Sequence, residues 1–301
     1  MYDAEGYVGV DIGGTNLRGA LVLADGTIVS RFRQKTAIEQ GGTSFMGRLS
    51  QELERIISRA ASEGVRVKGV GLGIPGLIDR DGLVHSSVNL QPLEGLNPSR
   101  LLAERLSVPV VAANDANLTA LGESLAGAAK GLDSAVVITI GTGLGSGLIL
   151  DGRLWGGSSG FAAEFGHTTL VPDGLPCRCG NRGCLEQYVS AAALSRHGGG
   201  SSPEVLAERA VQGDVEASDA FAALGYWLGT ALAGLINTLN LQGVVIGGGV
   251  AESFTFFEPA LRRTLEQRTF RQMLQGVVIR RAMLGDDAGL VGAALYAERE
   301  Q

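Results

Sequence analysis

The sequence lacks several features by which common protein classes are recognised. It contains only three cysteines and three histidines, and 5% of its 301 residues are aromatic. Three cysteines cannot all pair as disulfides. No run of 18 apolar residues is present, and the first five residues have neither the basic nor the apolar region of a signal peptide. We therefore expect a soluble cytoplasmic protein with reduced thiols and no membrane partner.

Basic residues are too few for a nucleic-acid surface. Lysine and arginine number 25 against 31 acidic residues, which gives a net charge of -6 and an isoelectric point near 5.2. Hydrophobic residues, by contrast, make up 45% of the chain and support a sizeable core in one large or two medium domains. The 46 glycines form short clusters after apolar runs, where backbone can approach a ligand closely.

Strand and helix patterns alternate along the chain and predict an α/β fold. Predicted strands cover residues 7–12, 17–23, 27–34, 65–74, 108–112, 135–140, 148–150, 244–246 and 277–280. Predicted helices cover residues 44–61, 98–106, 114–125, 203–211, 216–240, 256–268 and 287–298. The same order of elements starts at residue 7 and again at about residue 134, which predicts two domains facing across a cleft. We place the smaller domain at residues 1–114 plus 286–301 and the larger at residues 115–285.

All three cysteines and one histidine lie between residues 167 and 184: His167, Cys177, Cys179 and Cys184. Three thiolates and one imidazole complete a tetrahedral zinc site, and the lack of an open position is typical of a structural metal. Cys177 and Cys179 are too close for an unstrained disulfide. Three unrelated buried thiols are the alternative, which the clustering argues against. Two acidic residues, Glu164 and Glu186, flank this zinc loop, so the metal would hold carboxylates in place.

Two glycine turns each follow a predicted strand at the start of a predicted domain. The first contains Asp11, Gly13, Gly14, Thr15 and Asn16, and the second covers residues 141–147. Glycines expose backbone N–H groups that can bind phosphate oxygens, and Asp11 can hold hydrated magnesium beside them. Each turn alone is more typical of an ordinary β-hairpin, but the matching pair favours a phosphate function.

Two nucleotide-binding motifs are excluded. The phosphate-binding pattern G-x-x-x-x-G-K-[ST] is absent. Residues 71–76 fit the dinucleotide pattern G-x-G-x-x-G, but Pro75 lies inside it and no helix is predicted to follow, as that motif requires.

Asn114 and Asp115 follow a predicted strand and precede a predicted helix. Either residue is a good helix N-cap, which would explain both without any function. The carboxyl ends of strands are also where open α/β sheets bind ligands. Both explanations can hold together, with Asn114 contacting a substrate and Asp115 acting as a base.

These motifs resemble the ROK family (repressors, open reading frames and kinases), within the actin-like ATPase superfamily. The resemblance covers nearly the whole chain. It rests on residues 11–16, 71–76, 114–115, 141–147, 164–167, 177–186 and 247–249. It implies two actin-like, ribonuclease H-like α/β domains flanking a cleft, with a zinc-binding loop.

The resemblance also implies a role for each matching residue. Asp11, Gly13, Gly14, Thr15 and Asn16 are similar to the phosphate and magnesium site, and Gly141, Thr142 and Gly143 to a second phosphate contact. Gly247, Gly248 and Gly249 resemble the adenosine-side glycines, and Asp115 the catalytic base. The implied sugar ligands are Gly76, Asn89, Asn114, Asp115, Glu164, His167 and Glu186. His167 would bind zinc with one ring nitrogen and the sugar with the other.

The activity implied is ATP-dependent phosphorylation of a hexose at its 6-hydroxyl, with glucose favoured and with ATP, Mg²⁺ and structural Zn²⁺ as cofactors. N-acetylmannosamine and N-acetylglucosamine are alternative substrates. A repressor would need a DNA-binding module, for which a first strand near residue 7 leaves no room, and a non-catalytic sensor would be expected to lose Asp115 or Asp11. The apolar helix within residues 221–239 predicts a homodimer or homotetramer, without a nucleic-acid partner, and burial of this helix within the monomer is the alternative.

Overall fold

The structure, a computed structural model, describes residues 2–300. The strands in this range are β1 (Ala4–Ile12), β2 (Asn16–Leu23), β3 (Ile28–Lys35), β4 (Val65–Ile74), β5 (Leu77–Ile78), β6 (Val84–Ser86), β7 (Val110–Asn114), β8 (Ala135–Ile140), β9 (Leu144–Leu150), β10 (Arg153–Leu154), β11 (Gly243–Gly247) and β12 (Val278–Arg281). The helices are α1 (Gly42–Ser62), α2 (Pro98–Ala103), α3 (Asp115–Ala126), α4 (Ala191–His197), α5 (Pro203–Val211), α6 (Val215–Leu239), α7 (Phe254–Arg268), α8 (Arg271–Leu274) and α9 (Ala288–Arg299).

The first five-stranded sheet has the order β3-β2-β1-β4-β7. β1, β2 and β3 are antiparallel, whereas β4 pairs parallel to β1 and β7 pairs parallel to β4. Asp11 is level with Gly73, and Gly73 is level with Ala113. The carboxyl ends of β1, β4 and β7 therefore lie at one edge of this sheet.

The second five-stranded sheet has the order β10-β9-β8-β11-β12. β8, β11 and β12 are parallel, and β9 and β10 form an antiparallel hairpin. Both sheets thus place a meander on one side of their first strand and parallel strands on the other. The mixed α/β class and the repeated order of elements are confirmed.

Contacts within the chain divide it into two compact units. The first unit is Met1–Gly131, Gly147–Ala163 and Met283–Gln301, and the second is Leu132–Ser146 and Glu164–Ala282. The first unit therefore keeps α3 and the segment Gly147–Ala163, which the sequence placed in the larger domain. The domain boundaries after residues 114 and 285, and the cleft, stay predictions.

In the first unit, the backbone of α9 packs closely against the backbones of β1, β4 and α3. A Cβ atom on Gly9 of β1 would overlap the carbonyl oxygen of Leu290, and one on Gly71 of β4 would overlap that of Ala293. α9 meets α3 in the same way, because a Cβ on Gly292 would overlap the carbonyl oxygen of Leu118. These glycines serve helix packing rather than approach to a ligand.

The dinucleotide-like pattern has a structural explanation of the same kind. Its first four residues, Gly71 to Ile74, belong to β4 rather than to a turn, and β5 follows Gly76. No helix opens there, so the exclusion of a dinucleotide motif is confirmed.

Helix α6 is the longest apolar element of the second unit. Its buried residues include Phe221, Leu224, Leu228, Leu232 and Ile236, which share one face at helical spacing. By length and composition alone this helix could cross a membrane, but half of its apolar window is buried inside the fold, and a core helix passes the same test. The predicted oligomer stays a prediction.

The structure differs from the sequence prediction at three places. Residues 191–197, for which no element was predicted, form α4, capped by the Ser190 hydroxyl. Residues after Gly76, for which no strand was predicted, form the β5–β6 hairpin, which contains His85 on β6. β9 begins at Leu144, so the second glycine turn contains only Gly141, Thr142 and Gly143, while Gly145 and Gly147 lie in the strand.

Candidate functional site

The first glycine turn joins β1 to β2 as a tight hairpin. The Gly13 N–H donates to the carbonyl oxygen of Asn16 (3.0 Å), and Thr36 fixes the turn with its Oγ1 donating to the Gly13 oxygen (2.5 Å). The backbone N–H groups of Gly14 and Thr15 bond to no residue between 2 and 300, and both residues are exposed. Two N–H donors are thus presented to solvent beside the end of β1, as binding of an anion requires.

Asp11 lies at this turn and is paired with Arg18, its cross-strand neighbour. Arg18 donates from Nη2 (2.5 Å) and Nε (3.1 Å) to Oδ2 of Asp11, and its Nη1 lies 3.2 Å from Asp286. Burial opposes the charge of Arg18, but the hydrogen bond and charge of Asp11 raise its pKa above the ordinary value. Oδ1 of Asp11 has no partner among the described residues, so one carboxylate oxygen can still accept a ligand.

Asn114 ends β7 and caps α3. Its Oδ1 accepts the N–H of Asn117 (3.0 Å), and its Nδ2 donates to the Gly76 oxygen (3.1 Å). The predicted N-cap is therefore formed, and the second Nδ2 hydrogen remains for a substrate. Asp115 is the first helical residue and is half-buried, with Oδ1 accepting the N–H of Ala116 (2.9 Å).

Gly76 and Asn89 lie near the same sheet edge. A Cβ on Gly76, whose φ is 128°, would overlap the carbonyl oxygen of Ser86, so this position needs glycine. The loop up to Leu90 is held by Ser87, whose Oγ donates to Pro75 (2.5 Å). Asn89 is exposed, and its Cβ is 3.4 Å from where a Cβ on Gly14 would stand. The first unit therefore brings Asn89 to the first glycine turn.

In the second unit, the turn after β8 lies beside the glycines after β11. The Gly141 N–H closes the turn onto the Gly143 oxygen (2.9 Å). Gly247 is level with Thr139 in the parallel sheet, and a Cβ on Gly248 would overlap the Ile140 carbonyl. The two predicted nucleotide-binding segments thus share one sheet edge, with Thr142, Gly248 and Gly249 exposed.

Glu186 joins this edge to the cysteine loop. Its Oε2 accepts the N–H of Leu144 (2.9 Å), and a Cβ on Gly143 would overlap the same oxygen. A Cβ on Gly166 would likewise overlap the Leu144 carbonyl oxygen. Glu186 and the segment around Gly166 are therefore both fixed against the start of β9.

The structure brings together four residues that could hold a metal ion: His167, Cys177, Cys179 and Cys184. Their ligand atoms all lie within 4.8 Å of one another. The Cys177 sulfur is 3.7 Å from Nδ1 of His167, and the Cys179 and Cys184 sulfurs are 3.6 Å apart. A tetrahedron with a Zn–S length of about 2.3 Å has edges of roughly 3.8 Å, so the spacing and the donor chemistry fit zinc.

The thiols influence one another strongly. Burial opposes ionisation of Cys177, but hydrogen bonds from Cys179 and His167 lower its pKa to about 7. Burial and the neighbouring Cys179 and Cys177 raise the pKa of Cys184 to about 12. An ionised Cys177 thus opposes ionisation of Cys184, and a bound cation would favour both thiolates.

His167 presents its other nitrogen, Nε2, to Glu164 at 4.0 Å from Oε2. Burial raises the pKa of the Glu164 carboxyl, His167 opposes the increase and the charge of Glu186 adds to it. The Glu164 side chain is 42% exposed, so solvent screens part of this effect. Acidic and imidazole groups therefore meet at a partly open position, where they can accept hydrogen bonds from hydroxyls.

The predicted site residues thus form one group in each unit. The first unit holds Asp11, Gly13, Gly14, Thr15, Asn16, Gly76, Asn89, Asn114 and Asp115. The second holds Gly141, Thr142, Gly143, Glu164, His167, Cys177, Cys179, Cys184, Glu186, Gly247, Gly248 and Gly249. Sequence reasoning missed Arg18. The hairpin register, which pairs Arg18 with Asp11, was the signal that could have found it.

Comparison with known proteins agrees with this arrangement. The ROK family model matches residues 7–300. A glucokinase from Halalkalibacterium halodurans is 34% identical, over 98% of this chain and 96% of its own length. A solved ROK family glucokinase from Streptomyces griseus, in complex with glucose and AMPPNP, is 34% identical with a TM-score of 0.79, over 98% of this chain and 99% of that chain. The xylose repressor of Bacillus subtilis is 30% identical, over 95% of this chain but 76% of the repressor. Because the family match spans nearly the whole chain, the chain belongs to the ROK family.

Proposed function

We propose that the chain is an ATP-dependent hexose kinase that phosphorylates the 6-hydroxyl of glucose. Relatives named as glucokinases, one of them in complex with glucose and AMPPNP, match it over nearly the full length of both chains. The observation that carries the proposal is the position of two carboxylates. Asp11 on β1 is level with Gly73 on β4 and with Ala113 on β7, and Asp115 lies two residues after Ala113. Both carboxylates therefore lie at the same edge of one sheet. β1 and β7 are two strand spacings apart, which is about 10 Å.

Asp115 is the proposed catalytic base. A sugar hydroxyl is a poor nucleophile at neutral pH, and a carboxylate within hydrogen-bond reach can take its proton as the oxygen attacks. The new bond joins the sugar oxygen to the γ-phosphorus of ATP, and the bond from that phosphorus to the ADP oxygen breaks. The proton remains on Asp115 until it passes to solvent.

Backbone N–H groups and Asp11 are the proposed phosphate site. The unbonded N–H groups of Gly14 and Thr15 can donate to phosphate oxygens whose charge grows in the transition state. Asp11 would hold hydrated Mg²⁺ through Oδ1, since its Oδ2 is engaged by Arg18. When bound, Mg²⁺ would supply charge neutralisation to the phosphates.

Sugar recognition is proposed for Glu164, His167 and Glu186 of the second unit and for Gly76, Asn89 and Asn114 of the first. Hexoses present hydroxyls, and these side chains offer carboxylate, imidazole and amide partners. The cysteines would hold structural Zn²⁺ with Nδ1 of His167, leaving Nε2 for a hydroxyl. The rest of the nucleotide is proposed to bind at the two glycine segments of the second unit, Gly141, Thr142 and Gly143 after β8 and Gly247, Gly248 and Gly249 at the end of β11.

The experiment is ADP release from ATP and Mg²⁺ with glucose, mannose, fructose, N-acetylglucosamine or N-acetylmannosamine. We expect the highest kcat/KM with glucose. Preference for an N-acetylated sugar would replace glucose with the alternative substrate class. Absence of turnover with all five sugars, in folded protein containing zinc, would refute the proposed kinase activity.

Asp115→Asn tests the base directly. We expect kcat to fall at least a hundredfold, the lower end of what a general base contributes, with a smaller change in glucose affinity. Asp219→Asn, an equivalent change at an exposed position on α6, is the matched control and should leave kcat unchanged. Undiminished turnover in Asp115→Asn would remove Asp115 from the mechanism.

A sugar-responsive regulator is the second candidate, because the xylose repressor of Bacillus subtilis also matches nearly the whole chain. This alternative predicts sugar binding without ADP release. Calorimetric titration of the same five sugars, read beside ADP release, therefore separates the two functions, since a regulator would bind a sugar and phosphorylate none of them.

A further inference from the structure

The exposed N–H groups of the first glycine turn depend on a residue outside the turn. Thr36 follows β3 and is buried, with only 1% of its surface exposed. Its hydroxyl Oγ1 donates to the Gly13 carbonyl oxygen (2.5 Å), and its backbone N–H donates to the Thr15 carbonyl oxygen (3.1 Å). Thr36 therefore binds two carbonyl groups of the turn, although Gly13 lies 23 residues earlier in the sequence.

The Thr36 hydroxyl takes the place of a bond that often closes a turn of this length. In many four-residue β-turns, the carbonyl oxygen of the first residue accepts the N–H of the fourth. Among the described residues, the Asn16 N–H makes no such bond to Gly13, whose oxygen is bound by Thr36 instead. The hydroxyl thus determines the direction of the Gly13 carbonyl group.

The direction of that carbonyl group sets the direction of the Gly14 N–H. Both belong to one planar trans peptide unit, in which the C=O and the N–H point in opposite directions. With the oxygen bound by Thr36, the N–H points away from Thr36 on the exposed side of the turn. Gly13 and Gly14 flank this peptide unit and permit its rotation at little steric cost. A rotated unit would present a carbonyl oxygen to an incoming phosphate and repel it.

The neighbouring donor, the Thr15 N–H, is free because Thr36 pairs with Thr15 on one side only. Residues of a hydrogen-bonded antiparallel pair normally exchange two N–H···O bonds. Within residues 2–300, Thr36 and Thr15 make one. The Thr36 carbonyl oxygen instead lies 3.4 Å from Nη2 of Arg48, which also donates to the Ala37 oxygen. The end of β3 is thus held by α1, and the Thr15 N–H remains available to an anion.

We propose that Thr36 is a positioning residue that orients the Gly14 N–H toward the phosphates of ATP. Its hydroxyl and its backbone hold the turn in one conformation before the nucleotide binds, so binding does not have to order two adjacent glycines. The inference rests on the proposed phosphate function of this turn. Its effect is confined to ligands whose phosphates reach the turn.

The test is Thr36→Val, which keeps the shape of the side chain and removes the hydroxyl donor. Binding is measured by calorimetry with a non-hydrolysable ATP analogue and with AMP, each in the presence of Mg²⁺. We expect the analogue to bind about five- to tenfold more weakly, the ratio that one net hydrogen bond supplies. AMP lacks the phosphates that take part in the transfer, so its affinity should not change.

Three further variants separate the hydroxyl from the packing of the side chain. Thr36→Ser retains the donor and should restore the affinity of the parent for the analogue. Thr36→Ala removes the donor from a smaller side chain and should reproduce the weakening, which keeps the test open should valine not fit. Thr43→Val, the same substitution at an exposed position on α1 of this unit, is the matched control and should change neither affinity.

Turnover gives a second readout in protein that phosphorylates a sugar. Thr36→Val should raise KM for ATP and lower kcat, while KM for the sugar stays unchanged, because sugar recognition is proposed for other residues. Unchanged affinity for the analogue would overturn the positioning role. Equal weakening of the analogue and AMP would also overturn it and would indicate general loosening of the unit. Selective weakening of the analogue in a protein that turns over no sugar would refute the kinase proposal and leave the role of Thr36 standing.

Discussion

The carboxylate side chain of Glu123, on α3, is completely buried and is bound by backbone N–H groups. Its Oε1 accepts the N–H groups of Met283 (3.0 Å) and Leu284 (2.8 Å), and its Oε2 accepts those of Ala128 (2.7 Å) and Met283 (3.1 Å). No basic side chain between residues 2 and 300 forms an ion pair with it. The carboxylate thus joins the end of α3 to the segment before α9 within the first unit. We predict that Glu123→Gln is strongly destabilising.

The size of the effect follows from these bonds. The amide of glutamine has one acceptor oxygen, so its NH₂ group must face a backbone N–H that the second carboxylate oxygen accepted. A hydrogen bond to a charged group contributes about 1.5–3 kcal/mol, and an unpaired buried donor costs about 1–3 kcal/mol. We expect a loss of roughly 3–5 kcal/mol in the free energy of unfolding, since one bond is lost and the others weaken. That corresponds to a decrease of roughly 6–10 °C in Tm.

The assay is thermal and urea unfolding at neutral pH, followed by circular dichroism. Glu39→Gln, the same substitution at an exposed position, is the control and should leave Tm within about 1 °C of the parent. A Glu123→Gln protein within 0.5 kcal/mol of the parent would show that the four contacts do not stabilise the fold as argued.

Two further predictions concern the metal ligands and pH. Cys179→Ser, or removal of metal by a chelator, should reduce Tm and raise KM for hexose more than KM for ATP, because the loop positions His167 and Glu186. Added zinc should restore the chelated protein, and equal increases in both KM values would indicate general unfolding instead. Burial opposes ionisation of Asp79, but the hydrogen bonds from His85 and from backbone N–H groups lower its pKa. Its charge therefore stabilises the fold above the unfolded pKa near 4, and this contribution is lost as pH falls through the folded pKa. The Tm difference between the parent and Asp79→Asn should shrink between pH 6 and pH 3, whereas a constant difference would contradict the assignment.

Elements with local signals at both ends were predicted accurately. The bounds of β4, β8 and α5 match the sequence prediction residue for residue. β4 is followed by Pro75, β8 by Gly141, and α5 is capped by the Ser202 side chain, so neighbouring residues alone define these boundaries. α4 was missed because it is short and its glycine-rich continuation is equally typical of a loop.

The functional residues were easier to name than to relate to one another. Asn114 was expected to cap a helix, and its Oδ1 does accept the Asn117 N–H. Local chemistry decides that contact, whereas Glu123 depends on Met283 and Leu284, about 160 residues away in sequence. A glutamate inside an apolar helix pattern carries no local sign of such partners.

The close packing of α9 against β1 and β4 also has a consequence for biosynthesis. Gly9 and its contact Leu290 are roughly 280 residues apart, so the first sheet lacks one covering layer until α9 has been synthesised. At about 5–20 residues per second, the ribosome needs on the order of tens of seconds to supply it. During that interval the surface around Tyr7 and Val22, which Leu290 and Ala294 later cover, stays exposed on the nascent chain. Transiently exposed apolar surface favours aggregation, and this exposure ends when α9 docks.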